Sequence, residues 1–384
     1  MRNVVIVEAF RTPVGRRKGL LSSKRPDEML AATLKETVAK AGIDPAEIDD
    51  VIAGCVTQIE EQAPDIARTA ALMADFPITV PGVTLDRQCG SSLQAIHFGA
   101  QAIMSGDMDT VIACGVESMT RVPMFKNLGE DPYSPDLTRR YEMINQGLSA
   151  ERIAEQNGFS RQDLDAYAAE SHRRALLAQE AGYFDDEMLP MAVLNHEGEH
   201  EIVSADEGPR PGSNEEVLAG LQPAFREDGV ITAGNASQMS DGAAAVLLMA
   251  EEHAESLGLK PLARLKSRVV VGSDPTMMLT GPVPATRQAL KKAGMELEAI
   301  DLVEVNEAFA PVPLHWLNEL NGDREKLNKL GGAIALGHPL GATGARITTT
   351  LVHEMKRSGA EHGLIAICEG LGMANATILE NLRR

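Results

Sequence analysis

The 384-residue chain is short of three things. It has only four cysteines, Cys55, Cys89, Cys114 and Cys368, too scattered to form a disulfide framework or a CxxC zinc pair, so any role they have is as free thiols. It is poor in basic residues, with 36 Lys and Arg against 55 Asp and Glu and a formal net charge of −19. That balance repels phosphate backbones and anionic membrane surfaces, and no basic run offsets it; neither nucleic acid nor a membrane is an expected partner. It also lacks the ~18-residue apolar stretch that crosses a bilayer, because Asp241 breaks the run at 231–250 and His338 and Arg346 break the next. The opening residues, Met1 to Glu8, read as a short strand without the longer apolar core of a secretion signal. A cytoplasmic protein of two or three domains is expected, at roughly 100–200 residues per domain.

What the chain does have is an internal repeat. Residues 40–51 (KAGIDPAEIDDV) align without gaps on residues 292–303 (KAGMELEAIDLV) at an offset of 252, with six of twelve positions identical. Each copy follows a helical pattern, marked in the first by Leu30, Leu34 and Val38, and runs into an apolar strand, Val51-Ile52-Ala53 or Leu302 to Val305. A turn around Cys89 leads into a helix carrying Leu93, Ile96, Ala100 and Ile103, and a turn around His338 leads into one carrying Ile347, Leu351 and Met355, at an offset of 249. A strand ending in cysteine follows in both, Val111 to Cys114 and Leu364 to Cys368, at an offset of 254. Three landmarks at nearly constant separation predict a duplicated α/β domain, with halves at 1–120 and 250–384 and an insertion at 121–249. The insertion holds an acidic helical stretch, Arg161 to Gly182, and a Pro/Gly-rich connection at 207–212, and it reads as a lid or substrate-gripping subdomain.

The chemistry gathers at equivalent ends of the two copies. Cys89 lies between a strand (Val83-Thr84-Leu85) and a helix starting near Ser91, where the macrodipole and free N–H groups favour a thiolate nucleophile. A lone cysteine is more often a small buried apolar residue, and it is the repeat that overturns that reading. The equivalent position of the second copy is His338, set among five glycines in residues 331–344, which permit close approach of backbone to a ligand. If the copies are related by a pseudo-two-fold, the two helix N-termini converge on a thiol and its general base. Cys368 closes a strand before Glu369-Gly370-Leu371-Gly372, and an ordinary thiol, titrating near ~8.5, can serve as both acid and base. Asn306 follows the duplicated strand, where its amide can anchor a water or orient a ring nitrogen. The pair His196 and His200 has a spacing some metal sites use, but no third ligand accompanies it and no metal is expected. His97 reads as a core-adjacent histidine, and Trp316 as packing near the mouth of the site.

Gln88-Cys89-Gly90-Ser91-Ser92, Asn306-Glu307-Ala308-Phe309-Ala310, the Gly331 to Gly344 block with Gly337-His338-Pro339, and Cys368-x-Gly370-x-Gly372 occur in the order seen in the thiolases, which the chain resembles over essentially its whole length. Ketoacyl synthases share that fold but use a Cys-His-His set. The resemblance implies a layered α-β-α-β-α core of stacked, duplicated α/β domains with an inserted loop subdomain. It also implies an acyltransferase that cleaves 3-ketoacyl-CoA by a retro-Claisen route. His338 would take the proton of Cys89, which attacks the keto carbonyl; Cys368 would protonate the acetyl-CoA enolate and then deprotonate CoA. Oxyanions would be held by His338 with an Asn306-bound water, and by the N–H groups of Cys89 and Gly370. Ser237 and Arg210 would contact CoA, Met278 would line the acyl pocket, coenzyme A would be a substrate with no resident cofactor, and a homodimer or homotetramer in fatty-acid β-oxidation would be expected.

Some positions depart from the family pattern. Asn145-Gln146 replaces a His-Met pair of acetoacetyl-selective members, Leu279 follows Met278 where many relatives have Gly, Ala374 replaces a motif Gly, and the acidic Asp86 stands three residues before Cys89. The alternatives are a biosynthetic acetyl-CoA acetyltransferase and a non-catalytic acyl-CoA or lipid binder, the latter disfavoured because Cys89, His338 and Cys368 are all present.

Overall fold

The computed structural model describes residues 2–195 and 197–383. In chain order, the first half contains β1 (Val4–Arg11), α1 (Pro26–Ala41), β2 (Asp50–Gly54), β3 (Gly82–Leu85), α2 (Ser91–Ser105) and β4 (Thr110–Ser118). Next come α3 (Gln146–Asn157) and α4 (Arg161–Glu180), then β5 (Ser240–Ala250). The second half contains β6 (Ala263–Gly272), α5 (Pro282–Ala293), β7 (Leu302–Val305), α6 (Pro311–Leu320), α7 (Thr343–Ser358), β8 (His362–Glu369) and β9 (Met373–Asn381). No helix of the described residues is long and apolar enough to cross a membrane.

The strands run in the order β7-β8-β9-β6-β1-β5-β4-β2-β3; outward from the middle β6-β9-β8-β7 and β1-β5-β4-β2 repeat one pattern, and the first half adds β3 at its edge. β1 and β6 meet antiparallel through Val5–Arg264 and Ile6–Ala263 only, so the two half-sheets are joined by a narrow seam. The central layer is helical: α7 packs on α2 and on strands of both halves, while α1 covers the outer face of the first half-sheet and α5 that of the second. This is the layered α-β-α-β-α arrangement. One apolar cluster joins Leu93, Ile96 and Ile103 of α2 to Ile347, Leu351 and Met355 of α7, and outer clusters seat Leu30, Leu34 and Val38 of α1 and Ala289 and Leu290 of α5.

The insertion ends earlier than the repeat suggests. Residues 240–249, expected within it, belong instead to β5, which pairs antiparallel with β1 on one side and β4 on the other. All eleven residues of β5 are buried, with Val246 and Leu248 facing the central helices and Leu247 and Met249 the outer layer. A strand covered on both faces has no alternating pattern to read. The excursion thus lies between β4 and β5, where the second half has only a tight turn between β8 and β9. The insertion is clamped to β1 by buried Arg11, whose guanidinium pairs with Asp206 at 2.7 and 2.9 Å and also with Glu187.

The amino ends of α2 and α7 touch backbone to backbone. A Cβ on Gly344 would lie 2.1 Å from the Leu93 nitrogen, and one on Gly115 2.2 Å from the Gly341 carbonyl oxygen. Ala345 N–H donates to Ser92 Oγ at 2.9 Å, closing the contact. Because the added methyl would meet main chain and not the end of a flexible side chain, Gly344→Ala is expected to destabilise the fold by about 1–3 kcal/mol, read as a lowered denaturation midpoint with an unchanged m-value. An unchanged midpoint would mean that the two helix ends are not in contact.

Candidate active site

Cys89 sits in a turn just ahead of α2. Gln88 before it adopts a left-handed backbone (φ 49°), a conformation costing about 1–3 kcal/mol that its surroundings must enforce. Asp86 Oδ1 accepts from Gln88 N–H at 2.6 Å, Ser91 Oγ accepts from Arg87 N–H at 2.9 Å, and the Ser91 hydroxyl donates to the Gln88 carbonyl at 2.6 Å. The strand is thereby bent sharply into the helix, with Cys89 at the bend.

His338 comes to the same corner from the other half. Gly337 (φ 99°) admits no side chain, since a Cβ would lie 2.4 Å from Ser240 Oγ. His338 N–H lies 3.1 Å from the Gln238 carbonyl and 3.2 Å from Ser240 Oγ, both acceptors. Thr343, the first residue of α7, gives its hydroxyl proton to the Pro339 carbonyl at 2.9 Å and so receives Nδ1–H of His338 at 2.6 Å. This assigns the proton to Nδ1 and leaves Nε2 as the basic nitrogen, with Asn306 Nδ2 3.4 Å away. Asn306 is itself buried and held by its N–H on the Ala366 carbonyl at 3.0 Å.

Two buried carboxylates fasten these loops together. Glu117 accepts from the N–H groups of Val56, Thr57 and Gly341 and from Gln62 Nε2, at 2.9–3.0 Å, tying the His338 loop to β2 and β4. Glu307 accepts from Tyr167 Oη and Ser171 Oγ of α4, from Asn328 Nδ2 and from Ile334 N–H, at 2.7–3.0 Å. Gln238 Nε2 is shared among the carbonyls of Gly208, Ile334 and Ala335. A further buried glutamate, Glu369, lies at the end of β8. Sequence reasoning missed all four side chains, because a single Glu or Gln reads as solvated; the available signal for Glu117 was its position in an otherwise apolar strand.

Cys368, the penultimate residue of β8, lies close enough to Cys89 that its charge, with that of Glu369, would raise the Cys89 thiol. Gly370 faces the Cys89 turn: a Cβ there would lie 2.9 Å from Gln88 Oε1 and 3.3 Å from Gln146 Nε2. Gly370 and Gln146 thus meet the Cys89 turn, Asn306 meets His338, and the helix starts that follow Cys89 and His338 touch, where both halves and the insertion come together. Around this meeting point, Ser237 N–H donates to the Ala308 carbonyl at 3.0 Å, exposed Arg210 reaches Gln238 Oε1 at 3.4 Å, and Met278 is buried beside Met277, whose carbonyl accepts from Ser149 Oγ at 2.8 Å.

The electrostatics differ from the sequence expectation in two respects. Burial, then the charges of Cys368, Glu369 and Asp86, pushes Cys89 well above the ordinary thiol range, so the helix terminus does not hold a standing thiolate. Burial and then Glu369 lift Cys368 to about 12, far from the near-neutral titration expected of it. Desolvation, with Arg346 adding to it, lowers His338 to about 3. The Cys89 thiol and the His338 imidazole are both neutral at rest, and charge forms only when a reaction requires it.

The other candidates resolve as packing. His97 is buried, with Nε2 2.7 Å from Thr377 Oγ1 of β9, and Trp316 is buried in α6, donating from Nε1 to Thr286 of α5 at 2.9 Å. His196 lies outside the described residues; among those described, no three His, Cys, Asp or Glu side chains are grouped to hold a metal.

Residues 4–252 match the family model described as "Thiolase, N-terminal domain" and residues 259–381 that described as "Thiolase, C-terminal domain". The chain is 47% identical to the steroid 3-ketoacyl-CoA thiolase of Mycobacterium tuberculosis, over all of this chain and 95% of that protein. It is 45% identical to the 3-ketoacyl-CoA thiolase of Bacillus subtilis, over 99% of this chain and 100% of that one. Among solved structures, the acetyl-CoA acetyltransferase of Bacillus anthracis superposes with a TM-score of 0.92 at 43% identity, covering 100% of this chain and 99% of the other.

The buried histidines give a pH prediction. His97 and His338 titrate at about 3 in the fold, against ~6.5 in the unfolded chain, so between those values the unfolded state binds more protons and stability falls as pH falls. Each histidine contributes up to ~1.4 kcal/mol per pH unit in that window. H97Q, which removes one without touching the corner, is expected to flatten the dependence of unfolding free energy on pH by up to that amount; an unaltered slope would contradict a buried neutral His97.

Proposed function

The chain belongs to the thiolase family, and from that premise we propose that it is an acetyl-CoA C-acyltransferase, cleaving 3-ketoacyl-CoA with CoA through an acyl-enzyme on Cys89. The observation that carries the assignment of roles is the abutment of two helix starts, one preceded by a thiol and the other by a tautomer-fixed imidazole, with a second thiol near enough to the first for its charge to act on it.

The first half-reaction begins when Cys89 gives its proton to Nε2 of His338 and its sulfur attacks the keto carbon. The bond between that carbon and the acetyl unit breaks, its electron pair goes to the acetyl-CoA enolate, and Cys368 delivers a proton to the enolate carbon. With a resting value of about 12, Cys368 is fully protonated at neutral pH and ready for this step. The thiolate it leaves is a strong base, which takes the proton of incoming CoA. The CoA sulfur then attacks the acyl thioester, and Cys89 departs and recovers its proton from His338. The backbone N–H groups of Cys89 and Gly370, and the His338–Asn306 pair, are the donors suited to the oxyanions.

Coenzyme A is here a substrate, gripped from the insertion side by Ser237 and Arg210, and no resident cofactor is called for. Met278 and Gln146 border the acyl group in this reading, and Gln146 in place of the acetoacetyl-selective pattern favours chains longer than acetoacetyl. The relative named for steroid substrates makes ring-bearing acyl groups part of the range to assay. A cytoplasmic homodimer or homotetramer serving fatty-acid degradation completes the proposal. Condensation of two acetyl-CoA passes through the same transition states, so CoA supply and product removal set the direction.

The test is CoA-dependent loss of 3-ketoacyl-CoA in purified variants, over substrates from acetoacetyl-CoA to long and ring-bearing chains. C89A is expected to have no thiolysis, and H338A to lose about 10²–10⁴ in kcat. Normal turnover in C89A would overturn the acyl-enzyme.

A further inference from the structure

Glu369 is as buried as Glu117 and Glu307, at 0% exposure, yet the three carboxyl groups are treated differently. Glu117 and Glu307 each collect four donors, whereas neither oxygen of Glu369 has a hydrogen-bond partner. A buried carboxylate without donors is the costly case, and the usual resolution is neutralisation. The neighbour shows how. A Cβ on Gly90 would lie 1.9 Å from Glu369 Oε1 and 2.7 Å from Asn375 Oδ1, so both oxygens crowd the same point beside Cys89. Asn375 Nδ2 is directed to the Gly90 carbonyl at 3.3 Å, leaving its Oδ1 without a donor. Two orphaned acceptors meet here, and only the carboxyl can carry a proton between them.

We propose that Glu369 is held as a neutral carboxylic acid whose O–H is given to Asn375 Oδ1 across Gly90, and that it is a positioning residue that keeps negative charge away from the Cys89 and Cys368 sulfurs. The proposal rests on the reading of Cys89 as the acylated residue and adds to it. A charged Glu369 would raise both thiols, and the pair most affected is the one that must become thiolate in turn. The charged and titratable groups facing it are Arg87, which favours its ionisation, Asp86, which opposes it, and the two cysteines. Arg87 directs Nη1 to Met373 Sδ at 3.7 Å and makes no hydrogen bond to either Glu369 oxygen. Burial outweighs its attraction and lifts the carboxyl to about 8, so it is neutral at pH 7 and ionises above.

The experiment is the rate of Cys89 alkylation by iodoacetamide, read by peptide mapping, from about pH 7 to about pH 9. A thiol titrating above that range gains about tenfold in thiolate per pH unit. In the wild type, Glu369 ionising midway is expected to reduce the total gain by at least about threefold relative to E369Q, which is neutral throughout. An E369Q rate that already exceeds the wild type severalfold at pH 7, by a factor that stays constant to pH 9, would mean that Glu369 is ionised at neutral pH and would overturn the proposal. Alkylation requires only a titrating sulfur, so this outcome is independent of whether the protein acylates Cys89 during thiolysis.

Discussion

Everything at the active corner depends on two helix starts meeting main chain to main chain across glycines. Gly115, Gly341 and Gly344 let the main chain around His338 lie directly against β4 and the first turn of α2. The repeat supplies the two helices and the glycines set their distance. Cys89 and His338, 249 residues apart, each occupy the bend before one of these helices, so the contact of the helix starts draws their two loops together. The fasteners are carboxylates: Glu117 gathers N–H groups from both halves, and Glu307 joins α4 of the insertion to the loop that carries Asn306. Removing one partner of such a network strands the others in a dry interior, so each fastener specifies one arrangement of loops as well as stabilising it.

Burial sets the resting chemistry. Helix termini favour anions, and the surface-like expectation for Cys89 is a thiolate; desolvation wins because the sulfur is nearly inaccessible and has acidic neighbours. The same desolvation lowers His338 and raises Cys368. A site of three neutral groups avoids exposing a permanent thiolate to oxidation or alkylation, and it makes charge separation conditional on a bound thioester and the donors around it.

The elements that were legible in the sequence are those that repeat. Residues 40–51 and 292–303, the helices after Cys89 and His338, and the strands carrying Cys114 and Cys368 lie where the offsets put them, although neither strand ends at its cysteine: they run on to Ser118 and Glu369. β5 was not legible, because burial on both faces erases alternation and because the insertion breaks the constant offset to its counterpart β9. Glu117, Glu307 and Glu369 were invisible for a different reason: the identity of a residue does not report whether its side chain is paired, and the pairing partners come from segments up to 224 residues away. Asp86 could be noticed but not interpreted until its carboxyl was seen to accept from Gln88 N–H and thus to shape the turn holding Cys89.

The central claim is that the acyl group passes through the sulfur of Cys89 at this shared corner. Mass analysis of peptides after rapid quenching of the wild-type protein with a 3-ketoacyl-CoA, before CoA is added, tests it most directly. The account predicts an acyl group, shorter than the substrate by one acetyl unit, on the peptide containing Cys89, and its disappearance once CoA is supplied. Acyl mass on the Cys368 peptide, or on neither peptide while thiolysis proceeds, would contradict it.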